Sequence, residues 1–150
     1  MRTGFSLVEL VITVAIVGVL AAIAIPTFTT LQLRARKAEV SPVLRGIGTA
    51  EMAYYTSTGS WIEAASNPTG TPSKVPREWL VGQPGWTELG YQPAGELRCT
   101  YSISVDPGGD PAIATAECDI DGNGEVAVTA YTVPTAKESG HFEELNPDRY

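Results

Sequence analysis

GFSLVELVITVAIVGVLAAIAIPTFTTLQLR, residues 4 to 34, decides the architecture of this 150-residue chain. From Leu10 to Leu33 no side chain is charged. As an α-helix this run measures about 36 Å, enough to cross a bilayer core with some tilt. Glu9 stands at its entrance. A carboxylate at the edge of a hydrocarbon segment costs roughly 2–3 kcal/mol or more at depth, so it asks for a partner. Read from the residues alone, the stretch fits an ordinary membrane anchor. It also fits a secretory signal peptide, with Arg2 ahead of the apolar core and Ala22-Ile23-Ala24 as a small-x-small cleavage pattern. Against that, Glu9 interrupts the entry to the core. The apolar run also continues past the pattern through Ile25, Phe28, Leu31 and Leu33.

A third reading rests on resemblance. Met1-Arg2-Thr3-Gly4 resembles the short basic leader, ending in Gly, of type IV pilins and of the pseudopilins of type II secretion systems. Phe5 matches the residue that becomes the methylated N-terminus in that family. Glu9 lies where the family keeps its Glu, five residues into the mature chain. Gly18 and Pro26 fall where such helices commonly loosen. The likeness is close over about residues 1–33 and beyond Tyr55 holds only in general layout. It implies cleavage after Gly4 by a prepilin peptidase and methylation of Phe5. It further implies a precursor in the inner membrane, pilus assembly machinery as partner, and a helical homo-oligomer that ends as a surface filament. Arg34, Arg36 and Lys37 follow the apolar run while Arg2 alone precedes it. A positive-inside count would orient the helix the other way; here the resemblance sets the orientation.

The chemistry of Glu9 agrees with this reading. Cleavage after Gly4 creates an α-amine at Phe5. In a bundle of such helices, Glu9 of one subunit pairs with that amine on a neighbour. Removing one partner of a buried pair costs about 3–5 kcal/mol, which makes the pair a register device. A carboxylate snorkelling at the membrane rim is the plainer alternative.

Outside the apolar run, the remainder has the size of one domain. The formal charge is −7, and loss of Arg2 with the leader makes it −8. Such an acidic chain does not look like a nucleic-acid binder, because phosphate affinity comes mainly from clustered Lys and Arg. The small basic cluster at 34–37 suits lipid head groups or acidic neighbours. Two Cys in an exported domain read as one disulfide.

After Pro26 the pattern turns amphipathic. Leu31, Ala35, Ala38, Pro42 or Val43, Ile47, Ala50 and Tyr54 recur every three or four residues, with Arg34, Lys37, Arg45 and Glu51 facing elsewhere. This predicts one helix from about Phe5 to Tyr55, bent at Pro26 and Pro42. Its first half protrudes as anchor and filament core, and its second half is the spine of a head. Gly46 and Gly48 allow close packing against a sheet. They make no phosphate loop, since neither their spacing nor a preceding strand fits.

Residues 57–95 form a connection punctuated by Pro68, Pro72, Pro76, Pro84 and Pro93, too many breakers for a long regular element. Trp61, Trp79, Trp86 and Tyr91 within it read as core plugs or as exposed contacts. Leu97, Cys99, Tyr101, Ile103 and Val105 then alternate with polar residues as a half-buried strand. Asp106 to Pro111 is a turn, Ala112 to Cys118 a second strand, and Glu125 to Val133 a third with Val126, Val128 and Ala130 on one face. Such short connections predict an antiparallel meander whose apolar face lies on the helix spine. A hairpin centred on the 106–111 turn pairs residues whose numbers sum to 217, as those of Cys99 and Cys118 do. That register predicts a cross-strand bridge. Many type IV pilins close a C-terminal loop with their disulfide, and this chain departs from that pattern.

Asp119, Asp121, Asn123 and Glu125 resemble the front half of a calcium loop. The position of the bidentate Glu of such loops is Ala130, and Asp121-Gly122 and Asn123-Gly124 are equally plain hairpin signals. Turn and Ca²⁺ site stand side by side; no other cofactor is indicated. Residues 134–150 are a polar tail that lies along the sheet or stays loose. His141 in it reads as solvated.

The fold expected is α+β and pilin-like: leader 1–4, membrane and filament-core helix 5–33, and head 34–150. The head comprises a helix spine to about 55, the connection 57–95, an antiparallel sheet of about three to four strands over 97–133, and the tail. No Ser–His–acid constellation, Cys–His cluster or phosphate loop marks an active site, so the chain reads as no enzyme. Three functions follow. The first is a type IV pilus subunit serving adhesion, motility or a related surface role. The second is a pseudopilin of a type II secretion system. The third, of another class, is a secreted binding module that begins near Ile25.

Overall fold

Two helices, rather than one, occupy the first part of the chain. α1 spans Leu7–Lys37 and α2 spans Val40–Thr58, with a turn at Ala38 and Glu39 between them. Pro42 supplies the physical reason. It has no N–H to offer the Ala38 carbonyl, and its ring crowds that same carbonyl. In the first turn of α2 the proline is tolerated, because N–H groups there lack an intrahelical partner anyway. The computed structural model describes residues 4–106, 108, 111–136, 138–146 and 149. It divides into residues 1–34 and residues 35–150.

In the first unit α1 stays helical through Gly18 and Pro26. Hydroxyls cap carbonyls around the proline: Thr27 Oγ1 donates to the Ile23 carbonyl at 2.9 Å, and Thr29 and Thr30 donate to that of Pro26 at 2.8 and 3.0 Å. None of the residues of α1 is buried. The helical stretch holds a window long and apolar enough to cross a membrane.

The second unit is a five-stranded antiparallel sheet in the order β1-β2-β3-β4-β5. Its strands are β1 Ala64–Asn67, β2 Thr100–Val105, β3 Ala112–Cys118, β4 Ala127–Thr132 and β5 His141–Glu144. A short helix, α3, spans Trp86–Leu89. α2 packs on β3 and β4. β2 and β3 pair Thr100 with Glu117 and Tyr101 with Ala116, so the register is the expected one. Within the turn between them, Pro107, Gly109 and Asp110 lie outside the described residues.

Several expectations are corrected. The strand predicted from Leu97 starts at Thr100, because Leu97 exchanges backbone hydrogen bonds with Arg77 instead (2.7 and 2.8 Å). The core stripe of α2 is Val40, Leu44, Ile47, Gly48 and Glu51. The turn at 38–39 re-phases the helix, so of the residues predicted to face the core after that turn, Ile47 alone is buried. Glu51, predicted to face outward, is fully buried. In β4 it is Ala127 and Thr129 that are buried, while Val126, Val128 and Ala130 are half-buried on the other face. Pairing of Cys118 with Ala127, Ala116 with Thr129 and Ala114 with Tyr131 imposes that choice, since the partners in β3 all point inward.

Gly46 and Gly48 explain how the helix comes so close. A Cβ on Gly46 would sit 2.9 Å from the Tyr91 ring, and one on Gly48 would sit 2.5 Å from the Tyr131 ring. Tyr91 also donates its hydroxyl to the Val43 carbonyl at 3.2 Å. Trp79 and Trp86 are buried edge-to-face at 4.8 Å, and Trp86 Nε1 donates to the Ala65 carbonyl at 2.7 Å. Both are therefore core plugs. Trp61 is half-buried and stacks on Tyr55 at 4.2 Å. In the tail, β5 adds a strand: Phe142 packs on Tyr131 at 4.6 Å and lies under the Arg45 guanidinium at 5.0 Å.

Candidate functional site

The start of α1 is built by two side chains that serve each other. The Ser6 N–H donates to Glu9 Oε2 at 2.9 Å, and the Glu9 N–H donates to Ser6 Oγ at 3.2 Å. This is a capping box, which satisfies two of the N–H groups that a helix start leaves orphaned. Its S-x-x-E spacing is visible in the sequence, although Glu9 alone drew attention there. The Glu9 carboxylate thus has a partner on its own chain. Phe5 is 74% exposed, and a Cβ on Gly4 would meet nothing within 4 Å. The Gly4–Phe5 bond therefore precedes the first helical turn on an open strand of chain, while Met1, Arg2 and Thr3 of the leader lie outside the described residues.

In the head, Cys99 and Cys118 form a disulfide with Cα atoms 4.4 Å apart, the separation of a non-hydrogen-bonded cross-strand pair. Both cysteines are buried. Glu39, in the turn between the helices, anchors the same spot. Its Oε1 accepts the N–H groups of Arg98 and Cys99 at 2.8 and 3.2 Å, and its Oε2 lies 3.8 Å from the Arg98 guanidinium. No sequence pattern pointed to Glu39, because its partners lie about sixty residues away.

The acidic turn after β3 closes on itself. Asp119 accepts the N–H groups of Gly122 and Gly124 at 2.8 and 3.1 Å, and Asp121 accepts the Asn123 N–H and side-chain amide at 3.1 and 2.9 Å. Asn123 Oδ1 accepts the Glu125 N–H at 2.6 Å, and Glu125 lies 3.5 Å from Arg149. Gly122 and Gly124 have φ of 77° and 84°, the left-handed region that glycine enters freely. Among the described residues, no group of three or more His, Cys, Asp or Glu side chains could hold a metal ion. His141 is exposed, 3.7 Å from Glu138.

Comparison with known proteins bears on the N-terminal segment first. Residues 1–25 match the prokaryotic N-terminal methylation motif. Over 143 residues the chain is 30% identical to the type IV major pilin protein PilE1 of Neisseria gonorrhoeae, covering 93% of this chain and 55% of that one. Along most of its length the chain is similar to type IV major pilins. It is also 28% identical over 131 residues to the type IV major pilin protein PilA of Myxococcus xanthus, covering 87% of this chain and 46% of the relative. It is 39% identical over 61 residues to a fimbrial protein of Neisseria meningitidis, covering 41% and 36% of the two chains. The chain spans about half the length of the curated relatives that it matches along most of its own length. No solved structure matches it.

Proposed function

We propose that this chain is a type IV pilin, a structural subunit of a pilus filament assembled through α1. One observation carries the reading: a 31-residue helix, uncharged from Leu10 to Leu33, buries none of its residues and starts inside the segment that matches a methylation motif. A prepilin peptidase cleaves after Gly4 and the new amine of Phe5 is methylated. The precursor waits in the inner membrane with α1 in the lipid. On extraction by the assembly machinery, lipid contacts give way to α1 helices of neighbouring copies. The Glu9 carboxylate, which caps Ser6 in the single chain, then has a cationic partner in the neighbour's Phe5 amine. Gly18 and Pro26 are where α1 loosens to fit that packing. The completed filament stands on the cell surface and serves adhesion, motility or a related role.

That the named relatives are major pilins and a fimbrial protein supports a pilus over a short secretion fibre. The test is intact mass with N-terminal sequencing of protein sheared from the cell surface. A chain that starts at N-methylated Phe5 and is recovered in long fibres agrees with the proposal. A soluble chain that starts near Ile25 in the medium overturns it.

A further inference from the structure

We propose that Glu51 is a proton-operated latch: neutral, it holds the Gly59–Glu63 exit from α2 against the head, and charged, it lets that exit open. Glu51 is the last residue in the core stripe of α2 and is 0% exposed. A carboxylate so placed normally has a cation or several donors. Among the described residues Oε1 has no hydrogen-bond partner, and Oε2 accepts a long hydrogen bond from the Ile62 N–H at 3.5 Å. The bond joins the helix to the segment that follows it. α2 ends at Gly59, whose φ of 77° reverses the chain, Trp61 stacks back on Tyr55, and β1 begins at Ala64 beside Ile103.

Burial pushes the Glu51 carboxyl from 4.5 up to about 7, the Ile62 amide partly opposing it. Among the described residues, none of the titratable groups on the surrounding elements is a cause of the Glu51 shift, and the buried Tyr101 hydroxyl is itself without a hydrogen-bond partner. Glu63 accepts the Val105 N–H, Glu88 of α3 accepts the Gly85 N–H, and Glu117 of β3 is exposed. Tyr131 of β4 lies against Gly48 and Phe142, and Arg45 of α2 lies over Phe142. The hydroxyl of Tyr101 in β2 is raised by burial, then by Glu39 and Tyr91, and Tyr91 is raised by burial. No charged side chain is among the causes of the Glu51 shift. Because the folded state prefers the protonated acid, the closed form is favoured at low pH and loses ground as pH rises through neutrality. The Ile62 amide favours the charged form, but burial outweighs it, so what drives opening is hydration of the carboxylate, and the exit strand is the segment that meets it.

The experiment is hydrogen exchange by mass spectrometry on the full chain in detergent micelles, comparing wild type with Glu51→Gln from pH 5.5 to 8.5. Rates are corrected for intrinsic exchange. Glutamine keeps an acceptor for Ile62 but cannot ionise. Protection over residues 59–63 should fall roughly tenfold in the wild type across that range and stay level in the variant. Equal profiles in the two proteins would overturn the latch. Should the variant fail to fold, the wild-type Glu51 carboxyl carbon is titrated by NMR. A midpoint near neutrality agrees, and one in the ordinary carboxylate range rules the latch out.

Discussion

α1 and α2 draw on similar aliphatic residues and meet opposite fates. α2 inserts Val40, Leu44 and Ile47 into the head, and two glycines let its backbone meet tyrosine rings. α1 buries nothing, and fifteen large apolar side chains from Phe5 to Leu31 stay exposed. Covering a surface of that size is worth on the order of 20 kcal/mol. The contrast teaches that one helix is finished by its own chain and the other is finished by its surroundings, first lipid and then neighbouring copies in the proposed filament. Stability of the head and competence for assembly should therefore be separable by mutation.

The sharpest separation is Glu9→Ala. It should reduce sheared surface fibres to background while leaving the melting temperature of the head unchanged. Normal fibres from that variant would sink the Glu9–amine pairing, and a lowered head melting temperature would break the contrast itself. The converse is loss of the disulfide. Cys99→Ala with Cys118→Ala should destabilise the head by about 2–5 kcal/mol in denaturant titration without altering the affinity of α1 for vesicles. Next comes Gly48→Ala, whose methyl would collide with the Tyr131 ring; a cost of about 1–3 kcal/mol is expected in the same titration. The smallest effect is Ser6→Ala. Loss of the cap should cost about 1 kcal/mol, seen as fraying of the first turn of α1 by amide exchange, with head melting unmoved.

What could be read from the sequence follows the strength of the local constraint. The bridge was legible because a Pro- and Gly-rich turn pins the register of β2 and β3, and register dictates who faces whom. β1 was hidden, since Ala64 to Asn67 has no apolar alternation and sits among prolines. β5 was hidden for a related reason: His141, Glu143 and Glu144 look like a solvated tail, and Phe142 is the one large apolar residue among the four that pair with β4. The inward face of β4 was misread because Val126, Val128 and Ala130 are more apolar than Ala127 and Thr129; pairing with β3 outweighs hydropathy there. Glu51 was misassigned since a lone Glu on an amphipathic helix normally faces water, and nothing nearby in sequence marks it as buried. At the N-terminus, the Gly4–Phe5 and Glu9 spacing was plain, and Ser6 was overlooked because its role appears only when the helix start is seen to fall between Ser6 and Leu7.

The Cys99–Cys118 bridge has a mechanical side. In the proposed filament, a pull from the ends loads each subunit along its chain. The bridge spans 19 residues of sequence, whose extended contour is about 65 Å. That length cannot pay out under tension while the S–S bond holds. The β2–β3 hairpin thus acts as a rivet at the middle of the sheet, and any give under load must come from the strands and connections on either side of it.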